Sequence, residues 1–123
     1  MAVLGIRGAT TARHNSNAEI LSATMELLKR IMAENRLAVD DIISIIFTMT
    51  PDLNAGFPAA AAREIGLSDV PLLGAQEIAK PDGLRKCIRV LMHVNTRMNK
   101  TEIRHIYLRE AVALRPDLAR KGE

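Results

Sequence analysis

The feature that most constrains this chain is an alternating run at 86–94 (KCIRVLMHV) with an arginine near its middle. Successive strand side chains point to opposite faces, so one face of this run is wholly apolar and the other carries Arg89. A guanidinium in that position needs an anionic partner, a hydrated cavity or a sheet edge, because burying an unpaired charge is costly. The run therefore predicts either an edge strand or a buried ion pair, or else an arginine that binds a ligand carboxylate or a developing oxyanion.

Length and cysteine content limit the class of protein. A chain of 123 residues predicts a single domain over residues 1–123. The one cysteine, Cys87, excludes an intrachain disulfide and suits a reducing cytoplasm. The apolar start of the chain is too short for a signal peptide, and no run approaches the roughly 20 apolar residues of a membrane span. We therefore expect a cytoplasmic protein with no membrane partner.

The charged and aromatic residues bear on possible ligands. Arginine supplies twelve of the 17 basic side chains, and the formal net charge is +3. The planar guanidinium matches carboxylates and phosphates, so this bias permits an anionic ligand, although genomic base composition explains it equally well. Aromatic residues make up only 2% of the chain, which nearly removes the stacking platforms that bind single-stranded nucleic acid. We expect no nucleic-acid partner.

The sequence pattern predicts an α+β domain with a five-stranded mixed sheet, one long helix and one short helix. A capping box, Ser16-x-x-Glu19, should begin a helix from Asn17 to about Asn35. Pro58 should open a short helix that ends at Gly66. The predicted strands span residues 2–9, 42–50, 70–75, 86–94 and 103–114.

The sequences of the first two strands also predict how each strand is packed. In the first, Gly5 and Gly8 predict a bulge or a close backbone approach that gives Arg7 room to project, or else a twisted edge strand. The second is apolar at nearly every position, so it should be covered on both faces, either centrally in the sheet or against a neighbouring subunit. One long helix cannot cover that much apolar area, and we infer a subunit interface. Residues 116–123 look like a tail that a partner or ligand would order.

The chemistry-bearing residues exclude several reaction classes. The three histidines lie on different elements without cysteine or acidic residues at ligand spacing, so no metal is expected. The chain has no phosphate-binding glycine loop and no nucleophile elbow. Cys87 shares a face with Arg89, which makes a thiolate conceivable, but without a base a buried, inert thiol is the ordinary alternative. The residues that remain are charged groups on strands and strand ends and one phenol donor: Arg7, Glu77, Arg89, Arg115 and Tyr107. Such a set suits the binding of a small dicarboxylate.

Short motifs run in order along nearly the whole chain. They are 5–11 (GIRGATT), 50–53 (TPDL), 57–59 (FPA), Arg63, 70–71 (VP), 76–77 (QE), 86–90 (KCIRV), 103–108 (IRHIYL) and 114–118 (LRPDL). Each fragment alone is weak, but the ordered set from about Leu4 to Leu118 resembles the monofunctional bacterial chorismate mutases of the AroH class. The resemblance implies a homotrimer with a barrel-like core of sheets and active sites in the clefts between subunits. It also implies a pericyclic conversion of chorismate to prephenate, on the route to phenylalanine and tyrosine, without cofactor or metal.

The resemblance also implies roles for individual residues. Arg89 would donate to the ether oxygen as the C–O bond breaks, and Glu77 would accept from the ring hydroxyl. Arg7 would hold a substrate carboxylate, and Tyr107 would donate to a carboxylate. The rest of the pocket would be lined by Leu73, Gly74, Ala75 and Gln76, and closed by Phe57, Arg63 and the region of Leu114 and Arg115 from the neighbouring subunit or the tail.

Two positions depart from the family pattern. Ala60 stands where some members carry a lysine, and Gly74 where some carry a cysteine beside the ligand. The first change removes a charge that could steer the substrate, and the second removes a side-chain contact but keeps the backbone. An alternative from the binding class is a trimeric sensor that holds a small anionic metabolite without catalysis. The presence of Arg89, Arg7 and Glu77 together favours the enzyme, because a binder has no need of a group aimed at the ether oxygen.

Overall fold

The computed structural model describes residues 1–117, which form one mixed five-stranded sheet with helices packed on one face. The strand order is β3-β2-β4-β1-β5. This confirms the predicted α+β class, and residues 118–123 of the predicted tail lie outside the described range. The elements are β1 (Ala2–Thr11), α1 (Asn17–Glu34), β2 (Ile42–Met49), α2 (Pro58–Glu64), β3 (Leu72–Gln76), β4 (Cys87–Thr96) and β5 (Ile106–Tyr107), with 3-10 helices at Val39–Asp41 and Arg109–Leu114.

The first helix begins where it was predicted, but its cap is only half of a capping box. The Ser16 hydroxyl accepts from the Glu19 N–H at 3.2 Å. The Glu19 carboxylate does not return to Ser16; it accepts from the Arg13 N–H at 3.0 Å and from the Arg109 guanidinium at 3.1 Å. The backbone hydrogen bond from Arg13 lowers the pKa of Glu19, desolvation opposes it, and Arg109 adds to the lowering. This carboxylate therefore links two other segments to the helix start.

Strand β1 is continuous and interior, so the predicted edge position and bulge are wrong. It pairs with β4 from Ala2 opposite Thr96 to Thr11 opposite Cys87, and β5 lies on its other side. The alternative of a close approach is confirmed at Gly8, where a Cβ atom would lie 2.7 Å from Cδ1 of Ile31. The glycine therefore lets α1 pack directly onto the strand.

The last strand is much shorter than the predicted 103–114. β5 pairs with β1 through Ile106 and Tyr107 only, and Arg109 then adopts a left-handed φ of 54°. The Arg109 guanidinium donates to the Thr11 carbonyl at 2.9 Å and pairs with Glu19. Because these contacts turn the chain away from the sheet edge, residues 109–114 form a 3-10 helix and not a strand.

Strand β2 has the predicted interior position but is covered on one face only. It lies between β3 and β4, with Ile45 and Phe47 buried under the helices. A register shift between Ile42 and Ser44 leaves Ile43 as an extra residue, 38% exposed. A single chain therefore does not cover both faces of β2.

The sheet face opposite the helices is largely open in the single chain. Val3, Leu73 and Leu91 point to this open face and are 58%, 62% and 38% exposed. At one end the second 3-10 helix covers it, where Cys87 packs with Ala111. In residues 1–117 no helix is long and apolar enough to cross a membrane.

Candidate active site

Arg89 projects from the central strand of the sheet onto the open face. Its strand, β4, is flanked by β2 and β1, so the predicted edge-strand explanation is wrong. The anionic partner is Glu77, whose Oε1 lies 2.6 Å from the Arg89 Nε. The ion pair is only partly desolvated, because the Arg89 side chain is 48% exposed and that of Glu77 is 14% exposed. Arg89 is thus paired and still accessible to a ligand.

Glu77 reaches Arg89 because the ladder of β2 and β3 continues past the end of β3. The Glu77 N–H donates to the Met49 carbonyl at 2.9 Å. The carboxylate accepts from the Thr48 hydroxyl at 2.7 Å, and Thr48 is the register neighbour of Arg89 on β4. Parallel pairing of β2 with β3 and antiparallel pairing with β4 therefore bring together residues that lie far apart in sequence.

Arg7 and Tyr107 lie beside Arg89 in the same shallow hollow of about 300 Å³. Ala9 of β1 is the register neighbour of both Arg89 and Tyr107, so the three strands present these groups side by side. Burial raises the pKa of the Tyr107 phenol, and the positive charges of Arg7, Arg115 and Arg89 oppose that rise. Because the net direction is upward, the phenol is a hydrogen-bond donor at neutral pH.

Cys87 is a buried thiol and not a thiolate. Burial, with a further contribution from the Glu77 carboxylate, raises the pKa of Cys87 to about 11 even though Arg89 opposes it. The side chain is 0% exposed and packs with Ala9 and Ala111. The inert alternative weighed from the sequence is therefore the one the structure supports.

The loop after β2 fixes the start of β4. Lys86 has a left-handed φ of 48°, and its N–H donates to both carboxylate oxygens of Asp52, at 3.1 and 2.9 Å. The Thr50 hydroxyl donates to Asp52 at 2.6 Å and accepts from the Cys87 N–H at 2.9 Å. Desolvation acts to raise the pKa of Asp52, but these hydrogen bonds outweigh it and lower the pKa. The segment that leads into Arg89 is thus clamped by a carboxylate.

The other residues predicted for the site are not gathered around Arg89 within one chain. Gly74, Ala75 and Gln76 share a separate hollow of about 410 Å³ with Phe57, which is 78% exposed. Leu73 is exposed on the edge strand, and Arg63 is exposed on α2. Arg115 pairs with Asp117 at 3.2 Å and is close enough to Tyr107 to affect its pKa.

Sequence reasoning missed Thr48 and Asp52. Thr48 lies near the end of β2, and Asp52 lies in the loop that follows it. Strand alternation places Thr48 on the open face of the sheet, where its register neighbour Arg89 also lies. What the sequence lacks is the register that makes them neighbours of Glu77 and Lys86. Within residues 1–117 no group of three or more histidine, cysteine or acidic side chains could hold a metal ion.

Comparisons with known proteins agree with each other. The family model described as "Chorismate mutase type I" matches residues 3–118. The chain is 46% identical over 120 residues to "Chorismate mutase AroH" of Bacillus subtilis, covering 97% of this chain and 94% of that one. It is 47% identical over 117 residues to the protein of the same name from Thermus thermophilus, covering 94% and 96%. The solved structure titled "Chorismate mutase from Clostridium thermocellum Cth-682" is 51% identical, has a TM-score of 0.88, and is matched over 89% of this chain and 98% of that chain.

Proposed function

Because this chain belongs to the chorismate mutase type I family, we propose that it rearranges chorismate to prephenate in the hollow lined by Arg7, Arg89 and Tyr107. The protein is a chorismate mutase, an isomerase whose product leads toward phenylalanine and tyrosine. The observation that carries the location of the site is the Arg89–Glu77 pair at 2.6 Å on an open sheet face, beside a second arginine and a phenol donor.

The chemistry of the rearrangement fits these groups. A C–O bond of a flexible ether breaks while a C–C bond forms in the same molecule, so no nucleophile and no proton transfer are needed. The enzyme must hold the ether in a reactive conformation and stabilise the negative charge that develops on its oxygen. A preorganised donor at that oxygen supplies on the order of 3 kcal/mol.

Each site residue has a defined task in this proposal. Arg89 donates to the ether oxygen, and Glu77 both orients Arg89 and accepts from the ring hydroxyl. Arg7 binds a substrate carboxylate with its planar fork, and Tyr107 donates a hydrogen bond to a carboxylate. The raised pKa of Tyr107 supports this role, because only the neutral phenol donates.

A homotrimer explains the rest of the predicted residues. Val3, Leu73 and Leu91 are apolar side chains exposed on the open face, and their burial against a neighbouring subunit would remove this area from water. In the trimer we propose, Phe57 and Arg63 of one subunit close the Arg89 hollow of the next, with Leu73, Gly74, Ala75 and Gln76 along the cleft and Arg115 over the ligand. The lone buried thiol of Cys87 is compatible with a cytoplasmic location, and we propose one domain over residues 1–123.

The first test follows the ultraviolet absorbance of chorismate in buffer with excess chelator. Purified protein should consume chorismate and form prephenate. Arg89→Lys should lose about a hundredfold in kcat, the scale of one oxyanion donor, because a point charge cannot reproduce the planar fork. Arg30→Lys is the matched control, since Arg30 forms an exposed helical ion pair with Glu34 far from the hollow.

The outcomes separate the alternatives. Full turnover by Arg89→Lys at normal yield would contradict the role assigned to Arg89. No turnover by the wild-type protein, together with calorimetric binding of prephenate, would favour the sensor without catalysis.

A further inference from the structure

We propose that Thr48 is a positioning residue for this reaction: its hydroxyl fixes the Glu77 carboxylate, which in turn fixes Arg89. The inference rests on the proposed function of the Arg89 hollow. It adds a residue that lines the same hollow and whose effect on the reaction passes through Glu77.

Thr48 lies in the row of the sheet that joins the two charged groups. It is the register neighbour of Arg89 on β4 and of Ala75 on β3. Register neighbours present their side chains on the same face of a sheet. The Thr48 hydroxyl therefore lies between the strand that carries Arg89 and the strand end that carries Glu77.

Both contacts to the Glu77 carboxylate use the same oxygen. Oε1 accepts from the Thr48 hydroxyl at 2.7 Å and lies 2.6 Å from the Arg89 Nε. Among the described residues none donates a hydrogen bond to Oε2. A hydrogen bond from β2 and an ion pair with β4 thus set the direction of the carboxylate and leave its second oxygen for the substrate hydroxyl.

The two side chains that contact the Glu77 carboxylate differ in stiffness. Threonine is restricted at χ1 and Thr48 is half-buried, so its hydroxyl is a fixed reference point. Arg89 is long and 48% exposed, and an exposed ion pair leaves the orientation of such a side chain loosely defined. Without the hydroxyl, Glu77 would follow the motions of the arginine instead of restraining them. The loss would fall on preorganisation at the ether oxygen, which acts mainly on kcat.

The test compares Thr48→Val with Thr48→Ser. The valine variant keeps the shape of the side chain and removes the hydroxyl; we expect kcat/KM to fall about tenfold, the scale of one hydrogen bond to a charged group, with most of the loss in kcat. Thr48→Ser keeps the hydroxyl and should restore kcat to near the wild-type value. Should Thr48→Val fail to fold, Thr48→Ala removes the same hydroxyl.

The matched control is Thr24→Val. The Thr24 hydroxyl also donates at 2.7 Å, but to the Ile20 carbonyl inside α1. This variant should lower Tm and leave kcat/KM unchanged, so general destabilisation is separated from a positioning role. A loss of kcat in Thr24→Val as large as in Thr48→Val would overturn the inference.

A double-mutant cycle with Glu77→Gln supplies a second readout. If Thr48 acts through the Glu77 carboxylate, Thr48→Val should have little further effect in the Glu77→Gln background. Additive losses in the cycle would overturn the inference. Normal kinetics of Thr48→Val while Arg89→Lys is impaired would overturn only the role of Thr48, whereas normal kinetics of both Arg89→Lys and Glu77→Gln would overturn the proposed site itself.

Discussion

Glu77 is the group most dependent on its neighbours in this site. Its side chain is 14% exposed, so loss of its contacts with Thr48 and Arg89 would leave a carboxylate that is largely removed from water. Removing the charged partner of a carboxylate that is mostly desolvated leaves that charge uncompensated, which is unfavourable. A neutral substitution of Arg89 would therefore mix lost catalysis with lost stability, and lysine, which keeps the charge, separates the two.

Thr10 has a buried hydroxyl that lowers the stability of the folded state. It is 0% exposed, and among the described residues its hydroxyl is the buried side-chain oxygen with no hydrogen-bond partner. An unsatisfied buried hydroxyl costs about 1 kcal/mol or more. Thr10→Val keeps the shape and removes that hydroxyl.

We therefore expect Thr10→Val to raise the free energy of unfolding by about 1 kcal/mol. Urea denaturation of the wild-type and variant proteins measures this difference. Thr24→Val is the contrasting control, because it removes a hydroxyl that is bonded to the Ile20 carbonyl and should destabilise. A lower midpoint for Thr10→Val would mean that this hydroxyl does have a partner in solution.

At the scale of elements, the start of β4 depends on the loop after β2. The Asp52 carboxylate accepts hydrogen bonds from the N–H of Lys86. The backbone of Lys86 has a left-handed conformation that residues other than glycine rarely adopt. This clamp fixes the turn that leads into the strand carrying Arg89.

The lowered pKa of Asp52 gives the clamp a pH dependence with a definite sign. A carboxyl group with a lower pKa in the folded state stabilises the fold above its unfolded pKa, and this contribution is lost as the pH falls through the folded value. Asp52→Asn should lower the free energy of unfolding by about 1 kcal/mol at pH 7. The difference from the wild-type protein should shrink below the ordinary carboxyl pKa of 3.8.

Urea midpoints at pH 7 and pH 3 check this expectation. Asp69→Asn, at an exposed loop position, is the control and should change little at either pH. A difference between Asp52→Asn and the wild-type protein that widened toward low pH would contradict the assignment.

For the whole molecule, the open face of the sheet decides how the site is completed. Val3 lies on that face and is 58% exposed. It is near the start of β1, on the same strand as Arg7 but outside the hollow. In the trimer we propose, Val3→Asp would bury a carboxylate against a neighbouring apolar surface, which is unfavourable.

We expect wild-type protein to sediment at three times the 13.5 kDa chain mass. Val3→Asp should shift this species toward the monomer and lower activity at low protein concentration, because the proposed site needs two subunits. Val39→Asp is the matched control, since Val39 is 37% exposed in a 3-10 helix that precedes β2 and is not part of the sheet. A monomeric, fully active wild-type protein would contradict the shared site.

Periodicity and capping residues determined much of the local structure of this protein, independently of how the elements pack. The alternation at 86–94 predicts that Arg89 lies opposite the buried row, and Pro58 with Gly66 predicts the bounds of the short helix, where Gly66 has a φ of 95°. These features are local, because φ restrictions and the faces of strands follow from a few adjacent residues.

Only the tertiary structure decided which charges meet. Glu77 and Arg89 lie twelve residues apart in sequence. Their contact depends on how β3 and β4 each pair with β2, which places Thr48 between the two charged groups. The short β5 has the same origin: Arg109 ends it through contacts with β1 and α1, whereas the apolar pattern alone continues to Leu114. Long-range pairing depends on how whole elements pack, and no local pattern carries that information.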